Sequence, residues 1–170
     1  MVQVYIMCGL PGSGKSSFCL DRKNGKLSFY EGEKIPNSRL INIISRDSIR
    51  LNMVGPNIDT VSFFSREQSV KAEYFRQIRM SCFKYLEVYC DATQLTVSGR
   101  RQLINYLRDL INAGKVQINA IVINTPLDEC IRRDSERSGV QKVGEQRIRT
   151  MAAGFIMPTK GEGIANIYVI

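Results

Sequence analysis

Residues 9–17 read GLPGSGKSS and follow directly on the apolar run VQVYIMC, residues 2–8. An apolar run of that length, ended by glycine, is the pattern of a buried strand. Lys15 to about Asp21 then continues as a helix. Gly9-x-x-x-x-Gly14-Lys15-Ser16 matches the pattern GxxxxGK[ST] in full. The glycines let successive backbone N–H groups turn inward, and the helix that follows adds the positive end of its dipole. Strand, glycine turn and helix in this order therefore predict a phosphate-binding loop at the edge of an α/β sheet.

Each position has a duty in that reading. Gly9, Pro11, Gly12, Ser13, Gly14, Lys15, Ser16 and Ser17 are the expected contacts to a nucleoside triphosphate. Lys15 neutralises charge on the β and γ phosphates, and Ser16 offers its hydroxyl to the accompanying Mg²⁺. Lys15 is expected to face solvent until the nucleotide arrives. The guanine-reading NKxD motif is absent, which favours ATP as donor.

Outward from the loop, apolar runs alternate with helical periodicity. Residues 24–38 are turn-rich, an excursion before a second strand at Leu40–Ser45, and Gly55 to Thr60 reads as loop. Ser65 with Gln68 fits a capping box, ahead of Val70, Tyr74, Ile78 and Cys82 at helical spacing. Glu87–Cys90 reads as a strand ending at Asp91. Leu103, Leu107, Leu110 and Ile111 predict one amphipathic helix stopped near Gly114. Val116–Asn124 is a strand, and Pro126 is expected at the first position of the next helix. A helix at Glu145–Ala153 and a strand at Asn166–Ile170 complete the pattern. Strands alternating with helices predict a parallel sheet of about five strands with helices on both faces, in one domain over residues 1–170.

Composition narrows the chemistry. There is no histidine among the 170 residues. Proton transfer must therefore fall to Asp, Glu, Lys or Tyr. Five cysteines without a CxxC pair argue against zinc or a disulfide framework and predict buried, reduced thiols. Val2–Cys8 is too short to span a membrane and lacks a signal-peptide leader, so a cytoplasmic protein without a membrane partner is expected. A net charge of +8 suits a polyanionic partner, although solubility alone can explain it.

Two further segments carry candidates. In ISRDSIR, residues 44–50, Asp47 lies just past the second strand, at the edge where open α/β sheets collect ligands. Without histidine it is a natural acceptor for a hydroxyl proton, and Arg50 is within one helical turn of it. A helix-start aspartate with a solvated arginine explains the same spacing equally well. In RRDSERSG, residues 132–139, Arg133 and Arg137 are four apart, on one side of the helix predicted to start at Pro126. They suit a helical lid over about 132–148 that closes cations on phosphates, while the interleaved Asp134 and Glu136 also suit a solvated charged face.

Taken together, GLPGSGKSS, ISRDSIR, YCDATQLTVSGRR and CIRRDSERSG resemble, in the same order, the polynucleotide 5′-kinases of phages and of bacterial RNA end-repair enzymes. The resemblance implies the P-loop kinase fold and transfer of the γ-phosphate of ATP to a 5′-hydroxyl of RNA or DNA. It implies Asp47 as general base, Arg50 on the phosphate beside the acceptor nucleoside, and Arg133 and Arg137 as lid cations. Lys15 completes the catalytic set, and Asp91 supports the metal with Ser16, directly or through water. Two features depart from the family: Gly144 stands where relatives often carry proline, and residues 24–38 lengthen the path to Asp47. The chain has no DxDGT phosphatase motif. The alternatives are a P-loop kinase acting on a small-molecule hydroxyl and a non-catalytic nucleotide-binding module.

Overall fold

The computed structural model describes residues 1–55 and 65–170. Five strands, β1 (Val2–Cys8), β2 (Ile41–Ser45), β3 (Glu87–Asp91), β4 (Val116–Val122) and β5 (Asn166–Val169), form one sheet in the order β2-β3-β1-β4-β5. Every pairing is parallel, with Val4 opposite both Val88 and Ile118. The central strands are buried on both faces, as parallel strands covered by helices must be, which is why VQVYIMC reads as a continuous apolar run.

Side-chain alternation sorts the core into two layers. Val4, Ile6, Cys8, Val88, Cys90, Ile118 and Ala120 face one side. There they meet α2 (Arg46–Val54), α3 (Glu67–Ser81), α4 (Val97–Tyr106) and α5 (Arg108–Asn112) through Ile49, Val70, Tyr74, Ile78, Leu103 and Leu110. Tyr5, Met7, Tyr89 and Ile121 face the other side, against Phe18 and Cys19 of α1 (Lys15–Lys23). Helices α6 (Leu127–Ser135) and α7 (Glu145–Ala153) follow β4 and pack on each other. All five cysteines are buried free thiols, as expected. Among the described residues no helix is long and apolar enough to cross a membrane.

Several boundaries differ from the sequence reading. Leu40 closes a short 3₁₀ turn capped by the Asn37 side chain, so β2 starts at Ile41. The amphipathic pattern through Leu103 and Leu110 is split into α4 and α5 at Leu107, which leaves helical geometry. Helix α3 starts at Glu67 with Arg66 as its cap, one residue past the Ser65 that the capping-box reading places there. β4 ends at Val122. Pro126 is the cap of α6, with extended backbone (φ −53°, ψ 143°), rather than its first helical residue. Of the loop expected from Gly55 to Thr60, residues 56–60 lie outside the described residues.

Residues 24–38 have a long-range anchor that spacing could not reveal. Arg22, fully buried at the end of α1, donates to both Glu33 oxygens at 2.8 Å and to both Glu87 oxygens at 3.1 and 2.7 Å. Its guanidinium also lies 4.5 Å from the centre of the Phe29 ring. Phe29 stacks on both Tyr5 and Tyr168, at 5.3 and 4.5 Å. The excursion is thereby fixed onto the α1 side of the sheet.

Candidate active site

The sheet delivers its candidate residues to one edge. The loop after β1, Asp47 after β2, Asp91 at the end of β3 and Thr125 after β4 all lie at the carboxyl ends of strands, where such sheets gather ligands.

The loop's path depends on its glycines. Gly12 has φ 79°, and a Cβ there would come within 2.5 Å of the Cys130 carbonyl oxygen, so only glycine fits between loop and α6. Gly14 (φ 99°) turns the chain into α1 without a side-chain cap and leaves the first N–H groups of that helix for a ligand. The Thr125 hydroxyl donates to the Ser13 carbonyl at 2.7 Å and ties the loop to the segment after β4. Pro11, Gly12 and Ser13 are buried, whereas Ser16 and Ser17 are exposed.

Lys15 corrects an expectation. It is 8% exposed rather than solvent-facing, and its ammonium folds back to donate to the Leu10 carbonyl at 2.7 Å and the Ser13 hydroxyl at 3.4 Å. Burial pushes its pKa down, against the opposing pull of Asp91, Cys130 and Asp47. A buried ammonium whose nearest acceptors are the loop's own oxygens is poised for a stronger anion.

Beside it, the Ser16 hydroxyl donates to Asp91 Oδ2 at 2.7 Å. Burial raises the Asp91 pKa, while Ser16 and Lys15 pull it back and Asp47 adds to the rise. One hydroxyl and one carboxylate are the hard oxygen donors that Mg²⁺ accepts with water and phosphate completing its shell. Among the described residues no three His, Cys, Asp or Glu side chains converge, so the pattern fits Mg²⁺ shared with a nucleotide better than a closed protein cage.

Asp47 occupies the first turn of α2, where the helix dipole favours a carboxylate, and Ser45 caps that helix by accepting from the Ser48 N–H at 3.3 Å. Its side chain is 83% exposed. β2 ends at Ser45, which pairs with Asp91 on β3, so Asp47 leaves the sheet beside Asp91 at the edge that carries the loop. Arg50 is 5% exposed and pairs with Asp47 and Glu67, donating to the Glu67 oxygens at 3.0 and 3.1 Å. Arg46 joins Glu67 as well, so two arginines share one carboxylate beside Asp47.

The two arginines expected on a lid diverge. Arg133 lies over the loop, with Nη1 3.4 Å from the Gly12 carbonyl, and is braced by Glu129 at 2.7 Å. Arg137 is not on the helix with it. Helix α6 ends at Ser135, so the expected four-residue spacing on one helical side is lost. The Arg137 guanidinium approaches the Asp134 carboxylate at 3.8 Å instead. Thr125 and Cys130, which brace the loop from behind, carry no signal at the level of motif spacing.

A family model described as an AAA domain (AAA_33) matches residues 4–158. No curated relative matches the chain. Among solved structures, Kti12 of Chaetomium thermophilum in complex with ADP-AlF3 superposes with a TM-score of 0.67 at 12% identity, over 98% of this chain and 88% of that one. A sugar kinase from Janibacter sp. gives 0.59 at 12% identity over 100% and 84%. A Pnkp1/Rnl/Hen1 complex gives 0.52 at 18% identity over 82% of this chain and 41% of that one. At these identities the likeness speaks to fold alone. The chain belongs to the AAA domain family AAA_33 and has the P-loop kinase fold.

Proposed function

We propose that this protein is an ATP-dependent polynucleotide 5′-hydroxyl kinase, with residues 1–170 acting as one kinase module and residues 132–148 as its lid. The observation that carries the reading is the placement of Asp47. Its exposed carboxylate stands at the sheet edge that carries Lys15 and the Ser16–Asp91 pair, with two arginines beside it.

In this mechanism the loop N–H groups and the α1 N-terminus hold the β and γ phosphates of ATP. Lys15 exchanges the Leu10 carbonyl for phosphate oxygens. Mg²⁺, when bound by Ser16 and supported by Asp91, offsets charge on the same phosphates. Asp47 accepts the proton of the acceptor hydroxyl as its oxygen attacks the γ-phosphorus in line, and ADP departs. Arg133 and Arg137 balance charge on the transferring phosphoryl group. Arg50, with Arg46, holds the phosphate that follows the 5′ nucleoside. A net charge of +8 favours such an acceptor.

One observation favours a small-molecule hydroxyl instead. Arg50 is already engaged by Asp47 and Glu67, which leaves a bare hydroxyl as the simplest acceptor for Asp47. Incubation with γ-labelled ATP, Mg²⁺ and either 5′-hydroxyl oligonucleotides or a panel of sugars and nucleosides separates the two. Label on the oligonucleotide is expected. Label on an uncharged sugar, with oligonucleotides ignored at low salt, gives the reaction to the second class.

A further inference from the structure

The charged run at the end of α6 contains one side chain that does not behave as surface. Arg132, Arg133, Glu136 and Arg137 have side chains between 41 and 63% exposed, while the Asp134 side chain is 2% exposed. It lies in the last turn of α6, where the helix dipole disfavours a carboxylate. A burial of that kind needs strong compensation.

The compensation comes from across the lid. Both Asp134 oxygens accept from the Val143 N–H at 3.1 Å, and Oδ2 accepts from the Gly144 N–H at 2.8 Å. Those two amides lead directly into α7, where Gly144 is the cap residue and supplies no side-chain cap of its own. One carboxylate thus sits at the positive end of α7 and closes the loop between the two helices. The third bond uses an N–H that proline at position 144 could not offer. Inside the closed loop, the Arg137 N–H donates to the Asp134 carbonyl at 3.1 Å. The Arg137 guanidinium approaches the same carboxylate at 3.8 Å.

We infer that Asp134 is a positioning residue, a latch that closes the segment from 135 to 144 and thereby sets where Arg137 stands relative to α6. Because α6 ends at Ser135, nothing in the helix aims Arg137. The Asp134 backbone and side chain contact it at both ends, and the same side chain anchors the far stem of the loop. Arg133, one residue earlier, needs no latch, since Glu129 and the Gly12 carbonyl fix it. The inference rests on the proposed role of Arg137 for its consequence in catalysis, but the latch itself can be observed without activity.

Two measurements on Asp134→Ala test it. Hydrogen exchange in the unliganded protein should show the Val143 and Gly144 amides losing protection by about tenfold or more while β1 and β3 amides keep theirs. Unchanged protection at both amides overturns the latch. In steady-state kinetics, kcat should fall by about 10- to 100-fold with KM for ATP within about threefold, as for a misplaced transition-state group. In an Arg137→Ala background, Asp134→Ala should cost almost nothing further. Multiplicative losses would show that Asp134 acts apart from Arg137 and would overturn the positioning role. Should Arg137→Ala alone keep full kcat, the catalytic reading of Arg137 fails, and the exchange data still decide the latch. Asp134→Asn keeps one acceptor oxygen and should fall between the wild type and Asp134→Ala in both readouts.

Discussion

The Ser16 hydroxyl and the Asp91 carboxylate meet at 2.7 Å, joining the first residues of α1 to the end of β3 across 75 positions of sequence. The pair brings two hard oxygen donors together at a place where burial makes the carboxylate costly to ionise. Function and stability therefore pull in opposite directions at Asp91.

Asp91→Asn should separate the two. The folded pKa of Asp91 lies above its unfolded value of 3.8. The stability this shift contributes is full at low pH, below that unfolded value, and is lost as pH rises through the folded pKa. Above its folded pKa the wild type carries a buried charge that asparagine lacks, while an asparagine oxygen can still accept from Ser16. Without ligand, Asp91→Asn should melt at or above the wild-type temperature at pH 7, with the advantage vanishing as pH falls through the folded pKa towards 3.8. Its Mg²⁺-dependent turnover should drop by about 10²-fold or more. Thermal scans across pH, paired with Mg²⁺ titrations of activity, check both halves. A variant that is less stable at pH 7 and unchanged in Mg²⁺ dependence contradicts them.

Lys15→Ala addresses the ammonium that folds back on the loop. Removing a buried charge with a lowered pKa relieves a desolvation cost, so the fold should survive. Turnover should fall by roughly 10²–10³ through loss of charge stabilisation at the phosphates. Circular dichroism and melting monitor the fold, and labelled ATP monitors transfer. A folded variant with full activity would remove Lys15 from the mechanism.

How much of this was legible in the sequence depends on range. The loop from Gly9 to Ser17 is contiguous and acts through local backbone geometry, so strand, glycine turn and helix follow one another as the pattern predicts. Asp91 was legible as a carboxylate at the end of an apolar run. The Arg22 cluster was not, because Glu33 and Glu87 lie 11 and 65 positions away and no periodicity links them. The end of α6 was equally hidden. Ser135 and Glu136 carry no strong stop signal, and the tertiary bonds to Asp134 overrode local propensity in setting where Arg137 leaves the helix. Lys15 misled in the opposite way: its role in a bound state suggested exposure, but an ammonium close to the loop's own oxygens folds onto them first.

Gly12→Ala is a test of packing at the loop. The added Cβ would meet the Cys130 carbonyl at 2.5 Å in a backbone conformation that L residues rarely adopt. The cost should be about 1–3 kcal/mol in folding stability, read from the denaturant midpoint. Nucleotide affinity should fall with it, because the shift moves α6 and Arg133 away from the loop. An unchanged midpoint would mean that α6 yields freely there.

Asp47→Asn keeps the side chain's shape and removes the proton acceptor. If Asp47 is the general base, the rate of transfer should fall by roughly 10²–10⁴ while ATP affinity stays nearly constant. Single-turnover transfer and nucleotide titration supply the two numbers. A variant that binds ATP poorly yet transfers normally when saturated would put Asp47 on the nucleotide side.

Arg50 decides the acceptor. In the unliganded protein Glu67 accepts from its guanidinium at 3.0 and 3.1 Å and also engages Arg46, so an incoming phosphate competes with an internal carboxylate. If a strand phosphate takes that place, oligonucleotides should be better acceptors than bare nucleosides, because a guanidinium–phosphate pair is strong and directional. Each single-strand phosphate contact releases counterions, so acceptor affinity should fall by roughly 0.7 log units per tenfold increase in salt for each contact. Arg50→Lys keeps the charge but loses the bidentate fork, and should weaken oligonucleotide use without changing the KM for ATP. Arg50→Ala should flatten the salt slope by about one contact's worth. Glu67→Gln weakens the internal competitor, so it should tighten oligonucleotide binding at low salt and leave nucleoside use unchanged. Equal use of nucleosides and oligonucleotides, with a salt slope that none of these substitutions alters, would leave Arg50 as a structural partner of Glu67 and give the reaction to a small-molecule hydroxyl.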